Sequence, residues 1–177
     1  LMSKINYDLT KIKAVVFDVD GVLSPSTVPM SVDGIPERMA NLKDGYAMVQ
    51  AVKGGLHLAI ISGADDPRVE ARFRAESSLC GFIPIKCKAK LPILRKWMED
   101  NGLQPEEVAY AGDDIPDLPP MAAVGLPVAP RDAAIEVKEA ATFVSSADGG
   151  YGVGRELLEE ILKAKGLWLK DTHAFGW

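Results

Sequence analysis

The segment from residue 15 to residue 23 constrains the fold of this chain more than any other. Its apolar run predicts a strand buried on both faces, as strands of a parallel sheet are. The run ends in two carboxylates, Asp18 and Asp20. Residues i and i+2 of a strand point to the same side, so these carboxylates meet where the strand gives way to a loop. Gly21 then allows a tight or left-handed turn. Two solvated aspartates at a strand end are the alternative interpretation.

Strand and helix patterns alternate along the rest of the chain. Short apolar runs predict strands, and amphipathic spacing with start and stop signals predicts helices. This alternation predicts an α/β fold, a Rossmann-like parallel sheet sandwiched by helices. The predicted strands are residues 12–19, 57–61, 82–86, 108–111, 124–128 and 142–144, and the predicted helices are residues 43–53, 66–76, 89–101, 132–139 and 155–165.

Residues 24–41 interrupt this alternation. Asp33 and Gly34 stand between short apolar runs, which is a hairpin signal, although the prolines of the segment reduce it to an edge ribbon or a loop. A hairpin of this size is not stable alone. We therefore expect a small β-hairpin insertion that packs on the body of the protein or on another subunit.

Composition limits the class of protein. A chain of 177 residues, 47% of them hydrophobic, can bury one core, so we expect a single domain over residues 1–177. The net charge of −5, without a basic block, argues against a nucleic-acid partner. An anionic substrate must therefore be bound by a few placed cations in a local pocket.

Cysteine usage and apolar runs indicate the compartment. Cys80 and Cys87 are too few for a disulfide scaffold and too irregular for a zinc site, which indicates thiols in a reducing compartment. No apolar run reaches about 18 residues, and no apolar signal core follows residues 1–4. We expect a soluble cytoplasmic protein with no membrane partner.

Polar residues follow three of the predicted strands. Ligands bind beyond the carboxyl ends of the strands in an open parallel sheet. Asp18 and Asp20, then Ser62, then Asp113 and Asp114 occupy such ends, so we expect them to converge on one site. Adjacent carboxylates repel unless a cation neutralises them, and carboxylate oxygens suit Mg²⁺.

The converging residue types suit phosphoryl transfer. Asp18 can attack a phosphorus atom and form an aspartyl phosphate. Asp20 can protonate the leaving oxygen and later accept a proton from water. Ser62 and Lys90 can bind the phosphoryl oxygens, where charge gathers in the transition state. The alternatives are that Ser62 only caps the following loop and that Lys90 is a solvated helix residue.

These residues resemble the four motifs of the haloacid dehalogenase (HAD) superfamily of phosphohydrolases. More narrowly, from about residue 12 to residue 165, the chain is similar to the small, cap-less branch that hydrolyses 3-deoxy-D-manno-octulosonate 8-phosphate, a step of lipopolysaccharide sugar synthesis. The motifs stand in the family's order as Phe17-Asp18-Val19-Asp20-Gly21-Val22, Ser62-Gly63, Lys90 and Gly112-Asp113-Asp114.

The resemblance implies a role for each motif residue and Mg²⁺ as the cofactor. Asp18 is then the nucleophile and Asp20 the acid and base, while Ser62 and Lys90 hold the phosphate. The implied metal ligands are Asp18, the backbone carbonyl of Asp20 and Asp113, with Asp114 and Asp117 further out or structural.

The resemblance also implies a sugar-acid phosphate as substrate. The branch holds it with a stretch that matches residues 41–45 and with an arginine that matches Arg72. The implied substrate-binding residues in this chain are Asp20, Asn41, Leu42, Lys43, Asp44, Gly45, Gly63, Arg72 and Lys90.

Four positions depart from the family pattern. Lys43 and Ser62 replace the more usual arginine and threonine, and two further family arginines fall on Val49 and Ala64. The loss of two cations would change how the substrate's carboxylate is recognised. The eight-carbon sugar acid is the expected substrate, and a nine-carbon, sialic-type ulosonic acid 9-phosphate is the alternative.

In this branch the missing cap is replaced by other subunits. Hairpins that match residues 29–38 associate in a tetramer, and a neighbour covers each site. Apolar side chains of the segment, which would otherwise be exposed, favour the same homotetramer here. The tail of residues 166–177 carries Trp168, Phe175 and Trp177 among polar residues. Such a tail is either disordered or docked, and its aromatic residues favour docking.

A phospho-accepting receiver domain is the rival from another class. Receivers have a comparable sheet, a phosphorylated aspartate, a Ser or Thr and a Lys, but their extra acids precede the acceptor. In this chain Asp20 follows Asp18 on the same strand. Turnover of a phosphate ester separates the two interpretations, and a degenerate non-catalytic member is disfavoured because every catalytic position is filled.

Overall fold

A five-stranded parallel sheet lies at the centre of the protein. The computed structural model describes residues 3–76, 81–170 and 172–176. The strand order is β2-β1-β3-β4-β5, and every neighbouring pair is parallel. The predicted α/β class is confirmed. The strands are β1 Ala14–Phe17, β2 His57–Ile60, β3 Val108–Ala111, β4 Leu126–Ala129 and β5 Phe143–Val144.

Helices cover both faces of the sheet. They are α1 Leu42–Lys53, α2 Pro67–Glu76, α3 Lys90–Asp100, α4 Leu118–Ala122, α5 Ile135–Ala140 and α6 Val153–Ala164. Successive side chains of a strand point to opposite faces. Val15 and Phe17 of β1 accordingly pack in one apolar cluster with α1, α2 and α6, whereas Val16 packs in the other with α3, α4 and α5.

The chain reverses its direction across the sheet between β1 and β3. From β1 it runs outward to β2, and from β3 it runs the other way to β4 and β5. A crevice outside the carboxyl ends of such a strand pair is where ligands bind in open α/β sheets. The residues that follow β1 and β3 therefore face the position that the topology favours for a site.

The predicted strand over residues 82–86 is not formed. Phe82 makes only an isolated bridge with Ala59, although Ser62 N donates to Pro84 O at 3.0 Å. Pro84 has no N–H to return the next bond of a ladder, and Lys86 adopts a φ of 60°, which ends the extended conformation. The segment therefore lies along the edge of β2 without joining the sheet.

The predicted β-hairpin insertion is also wrong for the isolated chain. Residues 25–41 contain no strand, and their one turn is closed by Gly34 N donating to Ser31 O at 3.1 Å. Pro29 and Pro36 remove a donor from each arm, so the arms cannot form a ladder. Residues 25–41 therefore form a loop, which was one of the two alternatives that the prolines of the segment favoured.

Two shorter corrections concern the second half of the chain. The short helix α4 was not predicted; Pro119 and Pro120 lie in its first turn, where a missing N–H costs nothing. Helix α5 begins at Ile135, three residues later than predicted.

In the described part of the chain, no helix combines the length and apolarity that a bilayer span requires.

The C-terminal segment docks on helices of its own chain. The rings of Trp168 and Tyr46 meet edge-on with centroids 5.9 Å apart, and the Arg155 guanidinium lies 4.9 Å from the centroid of Trp168. The Tyr46 hydroxyl donates to the carbonyl of Ala174. The predicted docking thus occurs, whereas Phe175 is exposed. Trp177 and Cys80 lie outside the described residues, and Cys87 is a buried free thiol.

Candidate active site

The carboxyl ends of β1 and β3 bring acidic residues together. Asp18 follows β1, and its N–H donates to Ala111 O at the end of β3, at 3.0 Å. Asp113 follows β3, and Asp117 closes the 3₁₀ turn Ile115–Asp117. Asp18, Asp113 and Asp117 each offer a carboxylate oxygen within 4.8 Å of the others.

Gly21 permits the close approach of the two strand ends. Its φ is +80°, and a Cβ at this position would lie 1.8 Å from Oδ2 of Asp113. An L side chain would therefore meet both backbone strain and a clash. The turn predicted after Asp20 is present, with Gly21 N donating to Ser24 O at 2.8 Å.

Lys90 lies between two of these carboxylates. It is the first residue of α3 and is buried, and its Nζ is 2.9 Å from Asp18 Oδ1 and 2.8 Å from Asp117 Oδ1. Burial works to lower the pKa of Lys90, but Asp18 and Asp117 outweigh it and raise that pKa. Lys90 is therefore a buried cation and not a solvated helix residue.

Asp18 has one engaged and one available oxygen. Oδ1 accepts from Val19 N at 2.7 Å as well as from Lys90. Among the described residues, none donates a hydrogen bond to Oδ2. Burial, followed by the charge of Asp117, holds the pKa of Asp18 well above its usual range, against the opposing effect of Lys90. A bound cation would restore the charged, nucleophilic form.

Asp117 organises the loop after β3. Its Oδ1 accepts from the Tyr110 hydroxyl at 2.7 Å in addition to Lys90, and its Oδ2 accepts from Asp113 N at 3.0 Å. The side chain is buried. Sequence analysis missed Tyr110; the available signal was a hydroxyl-bearing residue in a strand otherwise made of Val and Ala.

Asp113 is a partly buried carboxylate that lies among like charges. Burial, then the charges of Asp117 and Asp114, raises the pKa of Asp113 to about 7. Asp114 itself is exposed at the cavity rim. Oxygen-only donors with excess negative charge are what a hard divalent cation requires, so the residues present fit Mg²⁺.

Asp20 is paired with an arginine that sequence analysis missed. Arg38 Nε lies 2.6 Å from Asp20 Oδ1 and Arg38 Nη2 lies 2.9 Å from Asp20 Oδ2. A third nitrogen, Nη1, is 3.2 Å from Asp66 Oδ2. Arg38 lies in the loop of residues 25–41, and no local pattern marks it as a partner of Asp20.

Ser62 and Gly63 follow β2, on the far side of β1 from Asp113. Ser62 is buried, and its Oγ accepts from Ala64 N at 3.1 Å, as in the capping alternative. Gly63 lines the cavity that contains Asp18 and Asp20. This cavity has a volume of about 720 Å³ and is also lined by Arg38, Lys90 and the acidic residues that follow β3.

The other predicted substrate-binding residues lie outside this cavity. Asn41 caps α1, with Oδ1 accepting from Lys43 N at 2.9 Å and Asp44 N at 3.1 Å. Asn41, Leu42 and Lys43 line a separate cavity of about 850 Å³. Asp44 and Gly45 are buried in α1, and Asp44 Oδ1 accepts from Arg155 N at 2.7 Å.

Arg72 lines a third cavity. This cavity has a volume of about 470 Å³, and Arg38 and Asp66 belong to its wall. The cavity of Asp18 also contains Arg38 in its wall, so Arg38 stands between the two. Within one chain, the cavity therefore brings together the acidic motif residues, Gly63 and Lys90, but not the Ser62 side chain, the stretch 41–45 or Arg72.

Comparison with known proteins identifies the family. A scan against protein-family models finds no match. A 3-deoxy-D-manno-octulosonate 8-phosphate phosphatase (KdsC) of Haemophilus influenzae is 34% identical over 158 residues, which are 89% of this chain and 87% of that protein. The cobalt-bound structure of the Haemophilus influenzae phosphatase matches with a TM-score of 0.86 and 33% identity, covering 95% of this chain and 98% of that one.

A second relative was solved with magnesium, phosphate and a sugar acid bound. The phosphatase of Moraxella catarrhalis, in complex with magnesium, phosphate and 3-deoxy-D-manno-octulosonate, matches with a TM-score of 0.85 and 28% identity over 94% of each chain. Fold, site and relatives together define a phosphoric monoester hydrolase of the HAD superfamily. More narrowly, the chain belongs to the KdsC family of 3-deoxy-D-manno-octulosonate 8-phosphate phosphatases.

Proposed function

We propose that this protein is a Mg²⁺-dependent phosphatase that converts 3-deoxy-D-manno-octulosonate 8-phosphate to 3-deoxy-D-manno-octulosonate and phosphate. The observation that carries the proposal is the cluster of Asp18, Asp113 and Asp117 around Lys90 at the switch point of the sheet. The family to which the chain belongs supports the choice of substrate.

The reaction proceeds in two displacements. Asp18 Oδ2 attacks phosphorus, the bond from phosphorus to the sugar oxygen breaks, and Asp20 gives that oxygen its proton. Water then attacks the phosphorus of the aspartyl phosphate, gives a proton to Asp20, and releases phosphate with the Asp18 carboxylate restored. Lys90 and Ser62 hold the phosphoryl oxygens during both displacements.

The carboxylates need a cation during these steps. Asp18, Asp113 and the backbone carbonyl of Asp20 would hold Mg²⁺, with Asp114 and Asp117 behind them. When bound, the ion neutralises the negative charge of the phosphoryl group and of the nucleophile. Lys90 alone cannot neutralise both the phosphoryl group and the nucleophile, because its charge already offsets the charges of Asp18 and Asp117.

The working form is proposed to be a cytoplasmic homotetramer. Met30 and Val32 in the loop of residues 25–41 are fully exposed, and such a patch favours burial against another subunit. In a tetramer, residues 41–43 and Arg72, which are not buried in one chain, would contact a substrate held in a neighbour's site. The buried free thiol of Cys87 suits a reducing compartment. A monomer in gel filtration with full activity would contradict the assembly.

Phosphate release with a panel of esters tests the proposed reaction. Purified protein with Mg²⁺ should hydrolyse 3-deoxy-D-manno-octulosonate 8-phosphate faster than N-acetylneuraminate 9-phosphate or D-glucose 6-phosphate, and Asp18→Asn should abolish release. Preference for the nine-carbon ester would move the assignment to the alternative substrate, which the uncharged side chains of Val49 and Ala64 leave open. A long-lived phosphoprotein without release would contradict phosphatase activity.

A further inference from the structure

Arg38 forms an ion pair with Asp20, the proposed acid and base of the reaction. Its Nε and Nη2 donate to the two different oxygens of Asp20, at 2.6 and 2.9 Å. This is the bidentate arrangement in which guanidinium and carboxylate bind most strongly. The Arg38 side chain is 14% exposed, whereas the Asp20 side chain is 47% exposed, so the arginine is largely buried and the carboxylate remains open to the cavity.

The pair is incompatible with a proton transfer by Asp20. A carboxyl group that donates a proton to a leaving oxygen must have one oxygen protonated and turned to the substrate. In the structure both Asp20 oxygens accept from Arg38. Arg38 must therefore release at least one of them before the leaving oxygen can be protonated.

The surroundings of Arg38 allow such a release. The loop of residues 25–41 has no strand pairing that would fix its backbone. Nη1 keeps a second partner, Asp66 Oδ2, at 3.2 Å. Asp66 is itself anchored, because Arg68 Nη2 donates to the same oxygen at 2.9 Å. The guanidinium can therefore pivot on Asp66 while it leaves Asp20.

The cavity offers few other cations to an anionic leaving group. Three cationic residues of the described chain line the cavity of about 720 Å³: Arg38, Lys88 and Lys90. Lys90 is engaged by Asp18 and Asp117, and Lys88 is exposed. Ala64, in the same wall, has no charge. Among the described residues that line this cavity, Arg38 is the one arginine.

We propose that Arg38 binds the carboxylate of the sugar-acid leaving group by exchanging Asp20 for it, so that recognition of that carboxylate frees Asp20 for proton transfer. The inference rests on the proposed function, since it requires a substrate with a carboxylate. Exchange of one carboxylate for another keeps the guanidinium paired, whereas a neutral sugar would leave Arg38 either on Asp20 or unpaired. Arg38 is thus a specificity-determining residue.

Substitutions of Arg38 and Arg68 test the exchange. The substrates are 3-deoxy-D-manno-octulosonate 8-phosphate and D-glucose 6-phosphate, which both release a primary alcohol. Arg38→Met should lower kcat/KM for the acid ester about 100-fold, as expected for a lost bidentate charged contact. It should leave kcat/KM for glucose 6-phosphate unchanged or higher. Arg68→Met, which removes the anchor of Asp66 but no contact with Asp20, should change the ratio of the two kcat/KM values far less than Arg38→Met does.

A binding measurement separates recognition from turnover. Calorimetry should show 3-deoxy-D-manno-octulosonate binding to Asp18→Asn and about 100-fold weaker binding to Asp18→Asn/Arg38→Met. If Arg38→Met fails to fold, Arg38→Lys, which retains the charge and can form ion pairs, replaces it in the same assays. Arg38→Lys should lose part of the preference for the acid ester.

Two outcomes would overturn the inference for different reasons. If wild type prefers the acid ester and Arg38→Met and Arg38→Lys keep that preference, or lose activity equally on both esters, Arg38 does not recognise the carboxylate. If wild type itself prefers glucose 6-phosphate, the proposed substrate fails and the inference fails with it.

Discussion

The ammonium nitrogen of Lys90 lies 2.9 Å from Oδ1 of Asp18 in the interior of the protein. The same nitrogen is 2.8 Å from Asp117 Oδ1, so one buried cation serves two buried carboxylates. Asp113 adds a third acid within reach. The three acids therefore outnumber the one buried cation. This excess of negative charge is the physical reason that the site needs a divalent cation next to the nucleophile Asp18.

Removal of Lys90 should damage both folding and catalysis. Lys90→Met leaves Asp18 and Asp117 buried without a counter-ion, and breaking a buried pair costs about 3–5 kcal/mol. Urea denaturation without metal at pH 8 should show a loss of that order, and phosphate release should fall to background. Lys88→Met, an exposed neighbour in the same cavity wall, should change stability by no more than about 0.5 kcal/mol. Equal stability of both variants would contradict the ion pairing.

The metal-free protein should lose stability as the pH rises from about 4 to 7. Asp113 keeps its proton in the folded chain up to a pKa of about 7, whereas the unfolded chain releases it near pH 4. In this window the folded state binds more protons, so the free energy of unfolding falls with rising pH. Asp18, whose pKa is also raised, acts in the same direction. Thermal unfolding in EDTA from pH 5 to pH 8 measures the slope.

Mg²⁺ should reverse this dependence of stability on pH, because it binds the deprotonated carboxylates of the folded protein. Stabilisation by Mg²⁺ should be larger at pH 8 than at pH 5.5. Asp113→Asn should flatten the metal-free slope and weaken Mg²⁺ binding, whereas Asp114→Asn, at an exposed position, should do much less. An unchanged slope in Asp113→Asn would show that another group titrates.

Asp20→Asn should separate proton transfer from metal binding. The variant keeps the backbone carbonyl but cannot donate or accept the proton, so single-turnover hydrolysis should slow about 10²–10⁴-fold. Mg²⁺ affinity, measured by calorimetry, should change far less. Asp65→Asn, an exposed acid in the same cavity wall that pairs with Lys86, is the matched control. Equal losses of rate and affinity would remove the acid and base role of Asp20.

Substitutions of Gly21 and Gly34 separate the effect of a steric clash at the site from the effect of backbone strain, because both glycines have a positive φ. Gly21 and Gly34 have φ values of +80° and +74°, but only at Gly21 would a Cβ meet Asp113, whereas space at Gly34 is open. Gly34→Ala should cost about 1–2 kcal/mol of stability at most and leave Mg²⁺ affinity unchanged. Gly21→Ala should also displace Asp113 and lower Mg²⁺ affinity, as calorimetry would measure. The same Mg²⁺ affinity in both variants would contradict the close approach.

Much of the fold could be predicted because its signals are local. Apolar runs predicted the four longer strands within a few residues, and the polar residues at the strand ends predicted that Asp18 and Asp113 would lie close together. The errors have physical causes as well. In residues 25–41 and 82–86, hairpin and apolar signals competed with prolines, and the missing N–H groups prevented a ladder.

Contacts between distant segments could not be predicted in the same way. The Arg38 pair with Asp20 joins a loop to a strand end, and nothing in the spacing marks it. The Tyr110 bond to Asp117 depends on the 3₁₀ turn that follows β3. The separation of Arg72 from Asp18 by Arg38 and Asp66 depends on how the loop lies across two cavities.

A crystal structure of the protein with Mg²⁺ and beryllium fluoride tests the central claim most directly. The account predicts a fluoroberyllate on Asp18, mimicking the aspartyl phosphate, with one Mg²⁺ bound by Asp18 and Asp113 and with Lys90 beside the fluorine atoms. An ion bound elsewhere, or an unmodified Asp18 with no metal between it and Asp113, would contradict the account.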